Sequence, residues 1–154
     1  MALEIERKFL VSGDFRPFAT HSTYIAQAYL CVSVERTIRV RIKGQGAFIT
    51  IKGASDANGF SRLEFEYAIP LEDAREMMSL SPFPVIQKER FYVPYGKHTY
   101  EVDVFHGQNE GLILAELELE HETESFEKPA WLGKEVTGDK RYYNAFMAQT
   151  SSHS

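Results

Sequence analysis

Short runs in which charged and apolar residues alternate recur along nearly the whole chain. The first ten residues set the pattern: Glu4, Glu6 and Lys8 fall at a spacing of two, with Ile5 and Phe9 on the alternate positions. In an extended strand successive side chains point to opposite faces, so the charges share one face and the apolar residues the other. The pattern returns at Arg39 and Arg41, at Thr50 and Lys52, and at Arg62, Glu64 and Glu66. It continues through Lys88 and Arg90, Glu101 and Asp103, and Glu116, Glu118 and Glu120. This alternation predicts strands ending near Val11 and spanning 23–34, 37–43, 47–53, 61–69, 85–93, 100–105 and 112–121. Gly44-Gln45-Gly46 marks a hairpin, and residues 12–18 read as a turn with room for a short helical turn. Helices are predicted over 70–78, opening on Pro70 with acids in the first turn, over 124–128 before Pro129, and over 140–149 behind the cap Asp139.

One strand of this kind would be an ordinary solvated face. A series of them indicates a sheet with one face built to be charged, and both signs of charge are on it. Holding that many ions in a dry core would cost several kcal/mol each, more than pairing usually returns. The face is therefore expected to be wet and to meet ions or an anionic ligand. A sheet curled into a barrel with its charged face inward, and helices covering the apolar outside, satisfies this. The rival is a sheet laced by salt bridges, but surface pairs add little stability and leave the one-sidedness unexplained.

Composition narrows the setting. At 154 residues the chain is sized for a single domain, here residues 1–149, with 150–154 as a disordered tail. A hydrophobic fraction of 44% without a long apolar run argues against a membrane partner. Charge from Glu4 onward, with no apolar signal region, predicts a cytoplasmic protein. The single cysteine, Cys31, excludes an internal disulfide and fits a reducing compartment. A net charge of -5 argues against nucleic acid as a partner, yet leaves room for a basic patch inside a cavity. The histidines are scattered without ligand spacing, and a monomer or homodimer is expected.

The charged face has a chemistry. Glu4, Glu6, Glu116 and Glu118, with Glu120 beside them, are hard oxygen donors suited to Mg²⁺ or Mn²⁺. Lys8, Arg39, Arg41, Lys52, Lys88 and Arg90 suit a phosphate chain, arginine being able to grip two oxygens at once. Acids and bases in one cavity make joint sense if a metal bridges carboxylates to phosphates, which leads to phosphoryl transfer.

These residues resemble the CYTH, or triphosphate tunnel metalloenzyme, superfamily. Its Glu-x-Glu-x-Lys signature stands here as Glu4-Ile-Glu6-Arg-Lys8, followed by Ile-Arg39-Val-Arg41, Thr-Ile-Lys52-Gly and Arg62-Leu-Glu64-Phe-Glu66. Lys88-Glu-Arg90, Glu101-Val-Asp103, Glu116-Leu-Glu118 and Tyr142-Tyr-Asn144 complete it, in order, over essentially the whole chain. The resemblance implies an α+β fold: an eight-stranded antiparallel β-barrel forming a tunnel, with helices packed outside. It also implies metal-dependent cleavage of a triphosphate. Glu4, Glu6, Glu116 and Glu118 would hold the metal, with Glu64 and Asp103 as lesser candidates. Lys8, Arg39, Arg41, Lys52, Arg62, Lys88 and Arg90 would bind the phosphates. Tyr29 and Lys88, by position the assisting Tyr-Lys pair of the small bacterial inorganic triphosphatases, would act in catalysis together with Lys8.

The branches of that superfamily differ in substrate. The His-Phe pair that usually precedes the signature in class IV adenylate cyclases is replaced here by Met-Ala-Leu, and the tryptophan, Trp131, lies far from the first-half tryptophan that animal thiamine triphosphatases use. Inorganic tripolyphosphate, split to pyrophosphate and phosphate, is the first expectation. Nucleoside or thiamine triphosphate hydrolysis, cyclase activity and a non-catalytic nucleotide or polyphosphate binder are the alternatives.

Overall fold

The computed structural model describes residues 2–57 and 60–151. Its elements in order are β1 (Ala2–Val11), β2 (His21–Val32), β3 (Arg36–Lys43), β4 (Gly46–Gly53), β5 (Ser61–Ala68) and α1 (Leu71–Ser79). They continue with β6 (Ile86–Tyr95), β7 (His98–Phe105), β8 (Ile113–Glu118), β9 (Leu132–Glu135) and α2 (Asn144–Ser151). Neighbouring strands run β5-β4-β3-β2-β6-β7-β8-β1, all antiparallel, and β1 pairs back onto β5 through Leu3↔Leu63 and Glu4↔Arg62. The result is a closed eight-stranded barrel, as expected. Closure pairs the two outer strands of the eight, β1 and β5, whose edges would otherwise be exposed. β9 is an extra strand that pairs with β1 at Phe9 and Val11.

Two tight turns depend on glycine. Lys43 pairs with Gly46 across β3–β4, and Gly44 takes φ 58°; Tyr95 pairs with His98 across β6–β7, and Gly96 takes φ 61°. Both angles lie in the left-handed region that glycine enters at little cost.

The registers bring the polar positions onto one face. Lys8 stands opposite Glu116, Glu116 opposite Glu101, Arg90 opposite Asp103, Tyr29 opposite Arg39, and Lys52 opposite Glu64. The odd-and-even alternation read from the sequence is thus a division between the lumen and the outside. Outside, Ala74 of α1 packs with Val40 and Ala47, while Ile5, Phe9, Val93, Tyr100, Val102 and Leu117 form a larger core beneath Phe15 and Trp131. At one end the side chains aligned with the charged positions turn apolar: Ile86, Phe105 and Leu114. There Met147 and Ala148 of α2 pack against them and against Tyr29, so α2 stoppers that end of the barrel.

Three local expectations need correction. Residues 124–128 are not helical. Phe126 is drawn onto Phe9, and the Tyr100 hydroxyl donates to the Glu127 carbonyl, which ties the segment down as an extended strap. The final helix is divided: Asp139 caps a 3-10 turn at Lys140–Tyr142 by accepting from the Arg141 N–H, Tyr143 is extended, and α2 begins only at Asn144. α2 also runs to Ser151, past the expected end at Gln149, and residues 152–154 of the expected disordered tail lie outside the described residues. Among the described residues no helix is long and apolar enough to cross a membrane.

Candidate active site

The lumen opens into a cavity of about 940 Å³. Arg39 and Arg41 from β3, Lys52 from β4, Arg62 from β5, Lys88 and Arg90 from β6 and Lys8 from β1 line it. So do Glu4 and Glu6 from β1, Glu64 and Glu66 from β5, Glu101 from β7, and Glu116 and Glu118 from β8. Tyr29 of β2 and Asn144 at the start of α2 complete the inner end.

The acids and bases hold one another in a graded way. Lys52 Nζ lies 2.9 Å from Glu4 and 3.5 Å from Glu64, and Arg62 Nε is 3.3 Å from Glu4. Burial alone would raise the Glu4 carboxyl, but Lys52 and Arg62 outweigh it and hold it at about 2. Glu6 goes the other way. Burial first, then repulsion from Glu116 and Glu4, pushes its carboxyl up to about 8. Burial also works against the charge on Glu116, yet Lys8, Arg90 and Lys88 keep its carboxyl well below the usual range. Glu64 and Glu118 are both raised, by burial and then by Glu4.

On the basic side, Lys8 Nζ donates to the Tyr142 carbonyl at 3.0 Å and lies 3.6 Å from Glu116. Its backbone N–H donates to the Thr137 hydroxyl at 2.9 Å. Arg39 Nη2 donates to Thr50 Oγ1 at 3.2 Å, while among the described residues Arg39 Nε is buried with no hydrogen-bond partner. A buried donor of this kind is costly unless a ligand oxygen meets it. Arg41 donates from Nε to Gln27 at 3.0 Å; burial, and then the neighbouring Arg39 and Arg90, depress its guanidinium to about 9. Crowded cations of this kind are stabilised by an anion between them.

Most residues singled out from the sequence therefore meet in one cavity. Asp103 does not line it. It is fully buried in the wall, where it accepts from Arg90 at 2.7 and 2.9 Å and lies 2.7 Å from Lys88. Glu120 is exposed and lies away from the cavity lining. The charge alternation points to neither Gln27 nor Asn144, yet Asn144 Oδ1 accepts from both Gln27 Nε2 at 2.8 Å and Lys88 Nζ at 2.9 Å. Gln27 shares the inward face of β2 with Tyr29, a cue available from spacing alone; Asn144 had none beyond its place after two tyrosines.

A closed antiparallel barrel with opposed cations and carboxylates in its lumen is a tunnel suited to a polyanion and its counter-cation. The CYTH domain family matches residues 2–148, and the chain belongs to that family. It is 44% identical to the inorganic triphosphatase of Acetivibrio thermocellus over 97% of this chain and 95% of that protein. It is 35% identical to the inorganic triphosphatase of Nitrosomonas europaea, over 94% of this chain and 96% of that protein. The crystal structure of the inorganic triphosphatase NE1496 superposes with a TM-score of 0.68 at 31% identity, covering 96% of this chain and 95% of that one.

Proposed function

We propose that this protein hydrolyses inorganic tripolyphosphate to pyrophosphate and phosphate with the help of Mg²⁺ or Mn²⁺, in the cytoplasm. The observation that carries this reading is the cavity wall itself, with the buried, unpartnered Nε of Arg39 among crowded cations and a cluster of carboxylates facing them. The two relatives named inorganic triphosphatase, each aligned over nearly its full length, support it.

The donor set fits a divalent cation by its chemistry: all-oxygen donors, with Glu6 and Glu118 directly opposite on β1 and β8. Among the described residues no three acids converge on one point; Glu4 turns to Lys52 and Arg62. Glu6, Glu116 and Glu118 would hold the cation, with Glu4 and Glu64 beside them, while Asp103 is engaged by Arg90 and Lys88. A cation there would supply charge neutralisation at the phosphoryl oxygens and make water more acidic.

Arg39, Arg41 and Lys52 grip the phosphate chain, and Arg62 and Arg90 flank it. Water adds to the terminal phosphorus, the bond to the bridging oxygen breaks, and pyrophosphate departs. Burial, then Arg90 and Arg41, bring the Lys88 ammonium down to about 7 against the pull of Asp103. Lys88 can therefore take the proton from the attacking water near neutral pH, with Tyr29 beside it and Lys8 stabilising charge on the reacting phosphate. Phosphate release from tripolyphosphate, ATP, GTP and thiamine triphosphate, each with Mg²⁺ and with Mn²⁺, tests the reading. Release from none of them would leave a binding module.

A further inference from the structure

The innermost polar groups of the tunnel form one continuous hydrogen-bonded chain. Arg41 Nε donates to Gln27 Oε1 at 3.0 Å, and Gln27 Nε2 donates to Asn144 Oδ1 at 2.8 Å. Lys88 Nζ donates to the same Asn144 oxygen at 2.9 Å and lies 2.7 Å from Asp103, which accepts twice from Arg90. Gln27, Lys88 and Asp103 are essentially without exposure, at 0%, 1% and 0%, so water does not compete for these bonds.

The direction of each bond follows from the donor inventory. Arginine can only donate, so the Gln27 oxygen must face Arg41. That turns the Gln27 amide nitrogen toward Asn144, and Asn144 must then present its oxygen. The oxygen that Gln27 orients is the one that receives Lys88. Two of the tetrahedral directions at Lys88 Nζ are thereby fixed, one by Asp103 and one by Asn144. The remaining directions are left for the cavity, whose wall includes Lys88.

We infer that Asn144 is a positioning residue: it aims Lys88 Nζ at the substrate from the first residue of α2, with Gln27 holding it in the productive orientation. The inference rests on the triphosphatase reading above and assigns Asn144 no contact with the reacting atoms. It also accounts for the break in the chain at Tyr143. A helix continuous from Lys140 would carry the Tyr142 carbonyl into its own ladder. In the divided form that carbonyl accepts from Lys8 Nζ at 3.0 Å, while Asn144 reaches Lys88. The C-terminal segment thus sets two of the three buried lysines of the site, Lys8 and Lys88, and leaves Lys52 to Glu4 and Glu64.

The experiment is a double-mutant cycle on tripolyphosphate hydrolysis, with melting temperature and substrate binding measured in parallel. Asn144→Ala should lower kcat roughly 10- to 100-fold while KM stays within about twofold, as expected when a reacting group is misplaced and substrate binding is left intact. Asn144→Asp keeps the acceptor oxygen but sets a carboxylate beside Lys88, which favours its ammonium; kcat should stay low at neutral pH and recover as the pH is raised. The Lys88→Ala, Asn144→Ala double variant should be no slower than Lys88→Ala alone, because Asn144 acts only through Lys88. Full kcat in Asn144→Ala would overturn the inference. So would losses that multiply in the double variant, or a loss confined to KM and melting temperature, which marks Asn144 as packing for α2. If Lys88→Ala itself retains full kcat, the role given to Lys88 fails and this inference with it; if the parent releases no phosphate, the functional reading fails first.

Discussion

Glu6 and Glu118 face each other directly across the β1–β8 pair, two carboxylates at the same level of the lumen. Two carboxylates so placed resist being charged together, and burial, then Glu116 and Glu4, already push the Glu6 carboxyl up to about 8. The arrangement makes sense where a cation is shared between them, and it leads to the first prediction. Glu6→Gln should lower kcat by about two orders of magnitude or more, since on the proposed reading Glu6 is a ligand and supplies charge that binds the ion. Excess EDTA should abolish activity of the parent, and added Mg²⁺ or Mn²⁺ should restore it. Undiminished turnover in EDTA would remove the metal from the mechanism.

Arg39 and Lys52 should separate ligand binding from fold stability. Arg39 has a buried Nε without a partner among the described residues, whereas Lys52 is 2.9 Å from Glu4 and 3.5 Å from Glu64. Arg39→Met removes that uncompensated donor together with the Nη2 bond to Thr50 at 3.2 Å and the 3.7 Å pair with Glu66, so the melting temperature without ligand should change little. Lys52→Met should lower it, because Glu4 loses its nearer cation and keeps Arg62 at 3.3 Å. Tripolyphosphate with metal should raise the parent's melting temperature by several degrees, on the order of 5 °C at about 100 times Kd, and that shift should shrink in both variants. Calorimetry decides it: an Arg39→Met protein that melts well below the parent would make Arg39 a structural partner.

The strands and the charged lumen were legible because one period carries both. Any residue two positions from Glu4, Arg39 or Glu116 shares its face, and the pairing registers preserve that parity around the barrel. Depth within the face was not legible. Asp103 obeys the same alternation as Glu101, yet Arg90 and Lys88 enclose it in the wall while Glu101 reaches the cavity. β9 escaped because Leu-Gly-Lys-Glu is too short to show a period, and its pairing with Phe9 and Val11 is set by tertiary structure. The strap at 124–128 has helix-forming residues, but Phe126 gains more from burial against Phe9 than a single helical turn returns.

A pH dependence of stability follows from Lys88. Its ammonium titrates near 7 in the folded protein against 10.5 for the ordinary group, because of burial and then Arg90 and Arg41, with Asp103 and Glu116 pulling the other way. Between these values the unfolded chain binds the proton that the folded one has released. Stability therefore rises with pH across that window, and the cost of burying the charge is fully present below it. Comparing the parent with Lys88→Met by urea unfolding from pH 6.5 to 10 isolates the effect. Relative to the variant, the parent should gain stability from pH 7 toward pH 10, by up to a few kcal/mol, whatever the constant offset left by the lost contacts to Asp103 and Asn144. A gap that does not change with pH would mean that Lys88 keeps its proton throughout.

Substrate selectivity follows from what the cavity offers a ligand beyond phosphate. Tyr143 lies beneath Lys8 and Arg62, each 5.6 Å from its ring centre, and Tyr29 packs among Ile86, Phe105 and Met147. Both rings are committed to neighbours, so a nucleobase gains no ready stacking surface from these two, while its desolvation still costs free energy; the other aromatic of the lining is Phe146, 40% exposed, and any base contact would fall to it. The cations, by contrast, are distributed over β1, β3, β4, β5 and β6, so a chain of three phosphates can be held at both ends. Tripolyphosphate should accordingly be cleaved with kcat/KM at least about tenfold above ATP, a difference of roughly 1.4 kcal/mol in transition-state stabilisation. Pyrophosphate should bind and compete without being cleaved efficiently, because its shorter chain cannot engage both cationic ends while placing a phosphorus beside Lys88. Steady-state kinetics on the three substrates with a shared metal concentration measure this ordering. Equal kcat/KM for ATP would require a base-binding surface near the cavity mouth, and efficient formation of cyclic AMP would assign the tunnel to cyclisation instead of hydrolysis.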